Sequence, residues 1–159
     1  MNYPSPVKFI AAIDKSLGSA SGSVIREAFQ IKEFDLRPII EGVIGEKEFV
    51  NKSLGIQLEF EDAGLREPSA YHDVGEGPWI LTHAVFRAGL NGSPRYRGEI
   101  PYGVRFELSR QQIKEFLGEP STSNIVADVW DKGSHRLVVN YDVKSQEVKL
   151  VGLQAPIRE

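Results

Sequence analysis

The stretch from Ser109 to Leu153, SRQQIKEFLGEPSTSNIVADVWDKGSHRLVVNYDVKSQEVKLVGL, limits the folds open to this chain more than any other. Its hydrophobic spacing changes from helical to alternating just after Pro120, so it predicts one short helix followed by antiparallel strands. Ser109 is suited to cap the helix, and Gln112 three residues later can reach back to complete a capping box. Ile113, Phe116 and Leu117 fall on one helical face, while Arg110, Gln111, Lys114 and Glu115 are expected to face water. Gly118 can take the left-handed conformation that closes a helix, and Pro120 prevents the helix from resuming. A strand over Ile125 to Asp131 then leads into the turn Asp131-Lys132-Gly133-Ser134. Leu137, Val139 and Tyr141 form the apolar side of the next strand. After the turn Asp142 to Gln146, Val148, Leu150 and Gly152 alternate with Lys149, Val151 and Leu153. A lone hairpin is marginal in water, whereas three strands under a helix can hold together.

Upstream, Phe9, Ile10, Ile13 and Leu17 predict a helix near residues 7 to 17, stopped by Gly18. Gly18 to Ser23 reads as a small polar linker, and Val24 to Phe29 as a short turn of helix. Leu36, Ile39, Ile40 and Val43 suggest a further helical turn or two beginning near Pro38. Strand character starts at Glu48. Ile56, Leu58 and Phe60 alternate with Gln57, Glu59 and Glu61 in a half-buried strand that ends at Asp62-Ala63-Gly64. Leu65 and Arg66 are read as the start of a return strand, and Pro68 to Pro78 as a loop. Trp79 to Arg87, the longest apolar stretch, reads as a central strand. The resulting fold class is α+β: one domain over residues 1–159 with a mostly antiparallel sheet of about six to eight strands and helices on one face. A helix, a Leu-Gly and a set of strands occur in that order twice. A diverged tandem repeat with halves 1–95 and 96–159 would explain this, although the same order is common in α+β proteins generally.

The charge of −3 over 159 residues, with scattered basic side chains, argues against nucleic acid as a partner. With no cysteine, neither disulfides nor thiolate metal sites are possible. The N-terminal sequence lacks a basic leader with an apolar core, and no run nears the length of a membrane span, so a cytoplasmic protein without a membrane partner is expected. The three histidines, His72 beside Asp73, His83 and His135, fall on a loop, a strand and a turn, with no helical i, i+4 pair. No metal, cofactor or catalytic residue is therefore assigned. There is no Gly-x-Ser-x-Gly elbow, and Gly18-Ser19-Ala20-Ser21-Gly22 lacks the lysine of a phosphate loop. A competing enzyme reading, a small hydrolase or metal-dependent enzyme, would rest on His72, Asp73 and His83. The residues that stand out for binding are Glu59, Glu61 and Asp62, an acidic row that could complement a cationic partner. Trp79 and Asp131 are further candidates for a protein interface. Trp130, flanked by Asp128 and Asp131, reads as core.

At LSRQQIKEFLGEPSTS, DVWD, LVVNYD and VKLVGL, the second half resembles the helix-plus-antiparallel-sheet unit of β-lactamase inhibitor protein. It also resembles that unit in the small lipoprotein of the outer-membrane β-barrel assembly machinery. With Tyr96-Arg97-Gly98-Glu99-Ile100-Pro101-Tyr102-Gly103 and LGIQLEFEDAG added, the whole chain looks similar to small bacterial proteins of the immunity type. That resemblance implies a non-enzymatic protein that neutralises a cognate toxin by direct binding. An envelope-assembly or scaffold module is the other reading it allows.

Overall fold

The computed structural model describes residues 1–66 and 74–157, which form a single antiparallel sheet with helices packed against it. In chain order the helices are α1 (Pro6–Ala12), α2 (Ala20–Ala28), α3 (Ala63–Arg66) and α4 (Arg110–Leu117). The strands are β1 (Arg37–Pro38), β2 (Glu46–Asn51), β3 (Ile56–Asp62), β4 (Trp79–Arg87), β5 (Thr122–Ser123), β6 (Ala127–Asp131), β7 (Arg136–Tyr141) and β8 (Val148–Gln154). Their order across the sheet is β1-β2-β3-β4-β8-β7-β6-β5. The expected α+β class with a mostly antiparallel sheet is what the chain adopts. Each half contributes a meander, and the two meanders join through their last strands, β4 against β8.

Period-two alternation sets the buried face. Ile56, Leu58 and Phe60 of β3 point inward with Leu81, Ala84 and Phe86 of β4 and Leu137, Val139 and Tyr141 of β7. Phe9 and Ala12 of α1, Ile25 of α2 and Ile113 of α4 close over them, with the Phe9 and Phe86 rings edge to face at 5.0 Å. In β8 the simple alternation fails. Asn140 pairs with Leu150 but Tyr141 pairs with Val148, so Lys149 is an extra residue in a bulge. Val148 is thereby buried together with Val151 and Leu153, and Leu150 and Gly152 turn to the opposite face.

Other expectations are corrected. The first helix ends at Ala12 because Asp14, with φ of 66°, turns the chain into the sheet. There the Asp14 amide donates to Leu81 O at 2.8 Å and the Leu17 amide to Trp79 O at 3.0 Å. The supposed linker after Gly18 is the start of α2, capped by Ser19, whose side chain accepts from the Gly22 amide at 2.9 Å. Gly22 allows the close approach, since a Cβ there would lie 1.9 Å from Ser16 O. No helix forms over Leu36 to Val43, where Arg37 and Pro38 pair instead with Glu48 and Lys47. Leu65 and Arg66 are helical, in α3, rather than the start of a return strand. In α4 the capping box of Ser109 and Gln112 forms as expected, yet Phe116 is 61% exposed. Ile125 is exposed and precedes β6.

Candidate docking face

Helices α1, α2 and α4 occupy one face of the sheet, and strand register determines what the other displays. On β2 and β3, Glu46 lies directly opposite Glu61, and Glu48 directly opposite Glu59. All four are partly exposed. Directly opposed like charges on neighbouring strands destabilise a sheet. Part of this charge is tied up in a polar chain, because Arg87 Nη2 donates to Gln57 Oε1 at 2.7 Å and Gln57 Nε2 donates to Glu48 Oε2 at 3.0 Å. Glu59 keeps a raised pKa: its partial burial disfavours the carboxylate, Glu46 adds repulsion, and Arg87 offsets only some of this. His83 of β4 lies opposite Glu59, with its pKa lowered by burial and by the nearby Arg66 charge.

Beside the carboxylates runs a row that, apart from Gln57, is small or apolar, with Gly152 and Val138 buried and the others at least partly exposed. Val50, Gln57, Val85, Gly152, Val138, Val129 and Thr122 are successive partners across seven strands. At the end where β3 leaves the sheet, Ile44 is 69% and Leu65 45% exposed. There Arg66 fastens the chain, donating through Nε to Asp14 Oδ1 at 2.5 Å and through Nη2 to Pro156 O at 2.7 Å.

The structure divides the residues singled out in the sequence. Glu59 and Glu61 lie together on the open face, and the structure adds Glu46 and Glu48, whose alternation in Glu46-Lys47-Glu48 was the available signal. Asp62 is not a surface residue. It is fully buried, in phase with the apolar side of β3, and accepts from the amides of Gly64 (2.7 Å), Gly75 (3.0 Å) and Gly77 (2.7 Å). Trp79 is likewise no exposed anchor: it is 6% exposed at the start of β4, with Lys47 Nζ 4.7 Å from its ring centroid. Asp131 is exposed on β6 opposite Arg136, and its carboxylate accepts from the Gly133 amide at 2.9 Å to close the β6–β7 turn. It shares the open face with Glu59 but sits four strands away. Trp130 is core, donating from Nε1 to Gly118 O at 3.1 Å.

His72 and Asp73 lie outside the described residues, so the cluster they were read to form with His83 does too. His135 is buried, with Nε2 bonded to the Tyr102 hydroxyl and Nδ1 2.9 Å from Ser134 Oγ. Among the described residues no group of three or more His, Cys, Asp or Glu could hold a metal ion. A polar cluster around Asp128 is one the sequence did not reveal. Asp128, fully buried, receives Arg110 at 2.8 and 3.1 Å and the Tyr141 hydroxyl at 3.0 Å, while Arg110 also donates to Ile125 O and Gln146. Arg110 thus fastens α4 to β6 instead of facing water.

No family model matches the chain, and no curated protein does. A search of solved structures finds a DUF4309 family protein, YjgB, from Bacillus subtilis, similar at a TM-score of 0.46 and 15% identity over 90% of this chain and 82% of that one. No described helix is long and apolar enough to cross a membrane.

Proposed function

We propose that the protein is a non-enzymatic binding module that docks the open face of its sheet on a positively charged partner protein. The partner class implied by the sequence resemblance is a bacterial toxin domain, which docking would neutralise by covering a surface it needs. The observation that carries this reading is the double pair Glu46 with Glu61 and Glu48 with Glu59. A sheet selected for stability alone would place opposite charges at such positions, because like charges directly across two strands repel. A cationic surface would turn that repulsion into attraction, speed encounter and reject acidic partners. In the adjacent row Val50, Val85 and Val129 keep partly exposed apolar area that can be desolvated, which charge alone does not supply.

The test begins with the neighbouring reading frames: a Glu48→Lys, Glu59→Lys, Glu61→Lys triple variant is compared with the unaltered protein by co-expression with any toxin domain found there and by association kinetics against that domain. The variant should fold, since all three side chains lie partly exposed outside the core and such surface charges contribute little to stability. Its association rate at low salt should fall by about ten- to a thousandfold, with loss of protection. If the unaltered protein neither binds the domain nor rescues cells producing it, the toxin assignment fails. If it binds and the triple variant binds as fast, the acidic face is not the docking surface.

A further inference from the structure

The open face does not carry one sign of charge throughout. Its outward positions on β3 run from Glu61 through Glu59 to Gln57, and the next step in the same direction brings Arg87 of β4, whose amide donates to Gly55 O at 2.9 Å. Arg87 stands four residues beyond His83, the partner of Glu59, or about 13 Å along the strand. It is half-buried, yet among the described residues its guanidinium forms no ion pair and makes one hydrogen bond, to the uncharged amide of Gln57. Taking a cation partly out of water without a counter-ion is unfavourable, and most of its N–H donors are left unused. Arg87 lines a pocket of about 440 Å³ together with Val50, Lys52, Gln57, Ser93 and Pro94, among others. That volume lies within the range of small ligand sites, about 300 to 1,000 Å³. The exposed Lys52 brings a second cation, and among the described residues no acidic side chain lines the pocket.

We infer that this pocket takes an Asp or Glu side chain of the partner protein on Arg87 and Lys52, while a basic side chain of the same partner engages Glu48 and Glu59. The inference rests on the docking reading above and adds its orientation: opposite charges at the two ends of one face fix how a partner can lie on it. A guanidinium pairs with a carboxylate through two parallel hydrogen bonds, which an uncharged amide cannot match in strength. Between the two charged ends lies Val50, 43% exposed and opposite Gln57. Outward positions on a strand recur about every 6.6 Å, as do alternate side chains of an extended partner segment laid along it. A segment with basic, apolar and acidic residues at alternate positions therefore matches the Glu48 and Glu59 row, the Val50 row and Arg87 in turn.

The probe is the peptide acetyl-Arg-Ala-Leu-Ala-Glu-amide, titrated against the labelled protein while backbone amide and arginine Nε–H NMR shifts are followed. Two control peptides replace the glutamate or the arginine by glutamine. Shifts should concentrate at the Arg87 side chain, Gln57, Val50 and Glu59, and both controls should bind several-fold more weakly. Arg87→Gln should weaken the peptide several-fold yet bind the glutamate-to-glutamine control as the unaltered protein does. Lys52→Gln, at an exposed position outside the strands, should act in the same direction without altering the fold. If the peptide and its glutamate-to-glutamine control bind alike, and only loss of the arginine matters, the pocket inference is wrong and the acidic docking surface stands. If only loss of the glutamate matters, the pocket takes its carboxylate and the acidic docking surface fails. Shifts away from this face, or none at all, would overturn the inference.

Discussion

Glu61 and Asp62 are adjacent carboxylates with opposite roles. Glu61 faces outward, where truncation removes only a half-exposed charge, whereas Asp62 accepts from the amides of Gly64, Gly75 and Gly77. Asp62→Ala should lower the unfolding free energy by about 3 kcal/mol, since it strands buried donors that had been bonded to a charged group. Glu61→Ala should change it by less than about 0.5 kcal/mol. Urea titration of both variants checks the contrast, and equal effects would show that Asp62 does not hold the β3–β4 connection. This difference was present in the sequence: the alternation that turns Glu59 and Glu61 outward places Asp62 in phase with Ile56, Leu58 and Phe60. Composition, three acids in a row of four, obscured it. The Asp128 to Arg110 clamp was different in kind. Its partners are 18 residues apart on a helix and a strand, and neither residue's local pattern reveals the meeting.

At the scale of elements, legibility followed the range of the interactions that define each one. Helix α4 was readable because its start and stop are local: Ser109 and Gln112 exchange side-chain bonds with each other's amides, and Gly118, at φ 87° and ψ −176°, holds a conformation essentially restricted to glycine. Ser109→Ala should cost about 1 kcal/mol and Gly118→Ala about 1 to 3 kcal/mol, read from thermal or urea unfolding. A neutral Gly118→Ala would mean that the chain leaves the helix by another route. The elements missed in the sequence owe their form to distant parts of the chain. Helix α2 begins with small residues because Gly22 packs on the Ser16 carbonyl. Helix α3 follows directly from the buried Asp62, whose carboxylate binds the Gly64 amide. Leu36 to Val43 has helical spacing, but Ile40 and Val43 are exposed and only Leu36 is buried, so the period had no apolar surface to act upon.

Across the whole molecule, the covered face is built for stability and the open face holds charge against it, and two carboxylates make that division measurable. Burial alone would raise the pKa of Asp128, but hydrogen bonds from Arg110, Ser123 and Tyr141 and the Arg110 charge outweigh it and leave the pKa lowered. A carboxylate with a lowered folded pKa contributes stability that is complete above its unfolded value, about 3.9, and lost as pH falls through the folded value. Glu59 has the opposite sign. Burial and Glu46 raise its pKa, so its ionisation opposes folding fully above the raised folded value, and the penalty vanishes below the unfolded value of about 4.3. At neutral pH, Asp128→Asn should therefore destabilise by about 2 to 3 kcal/mol, as expected for removing a fully buried carboxylate that the mostly covered Arg110 guanidinium pairs with. Glu59→Gln should stabilise by about 0.2 to 1 kcal/mol by removing a directly opposed like charge. Both differences should shrink in acid, but not together: that of Glu59→Gln closes first, from above about pH 4.3, and that of Asp128→Asn only below about pH 3.9. Urea unfolding of the two variants and the unaltered protein at a series of pH values between about 7 and 3 gives the three curves. If Glu59→Gln were destabilising at neutral pH, the open face would hold no repulsion for a cationic partner to relieve, and the physical basis for placing the docking surface there would be gone.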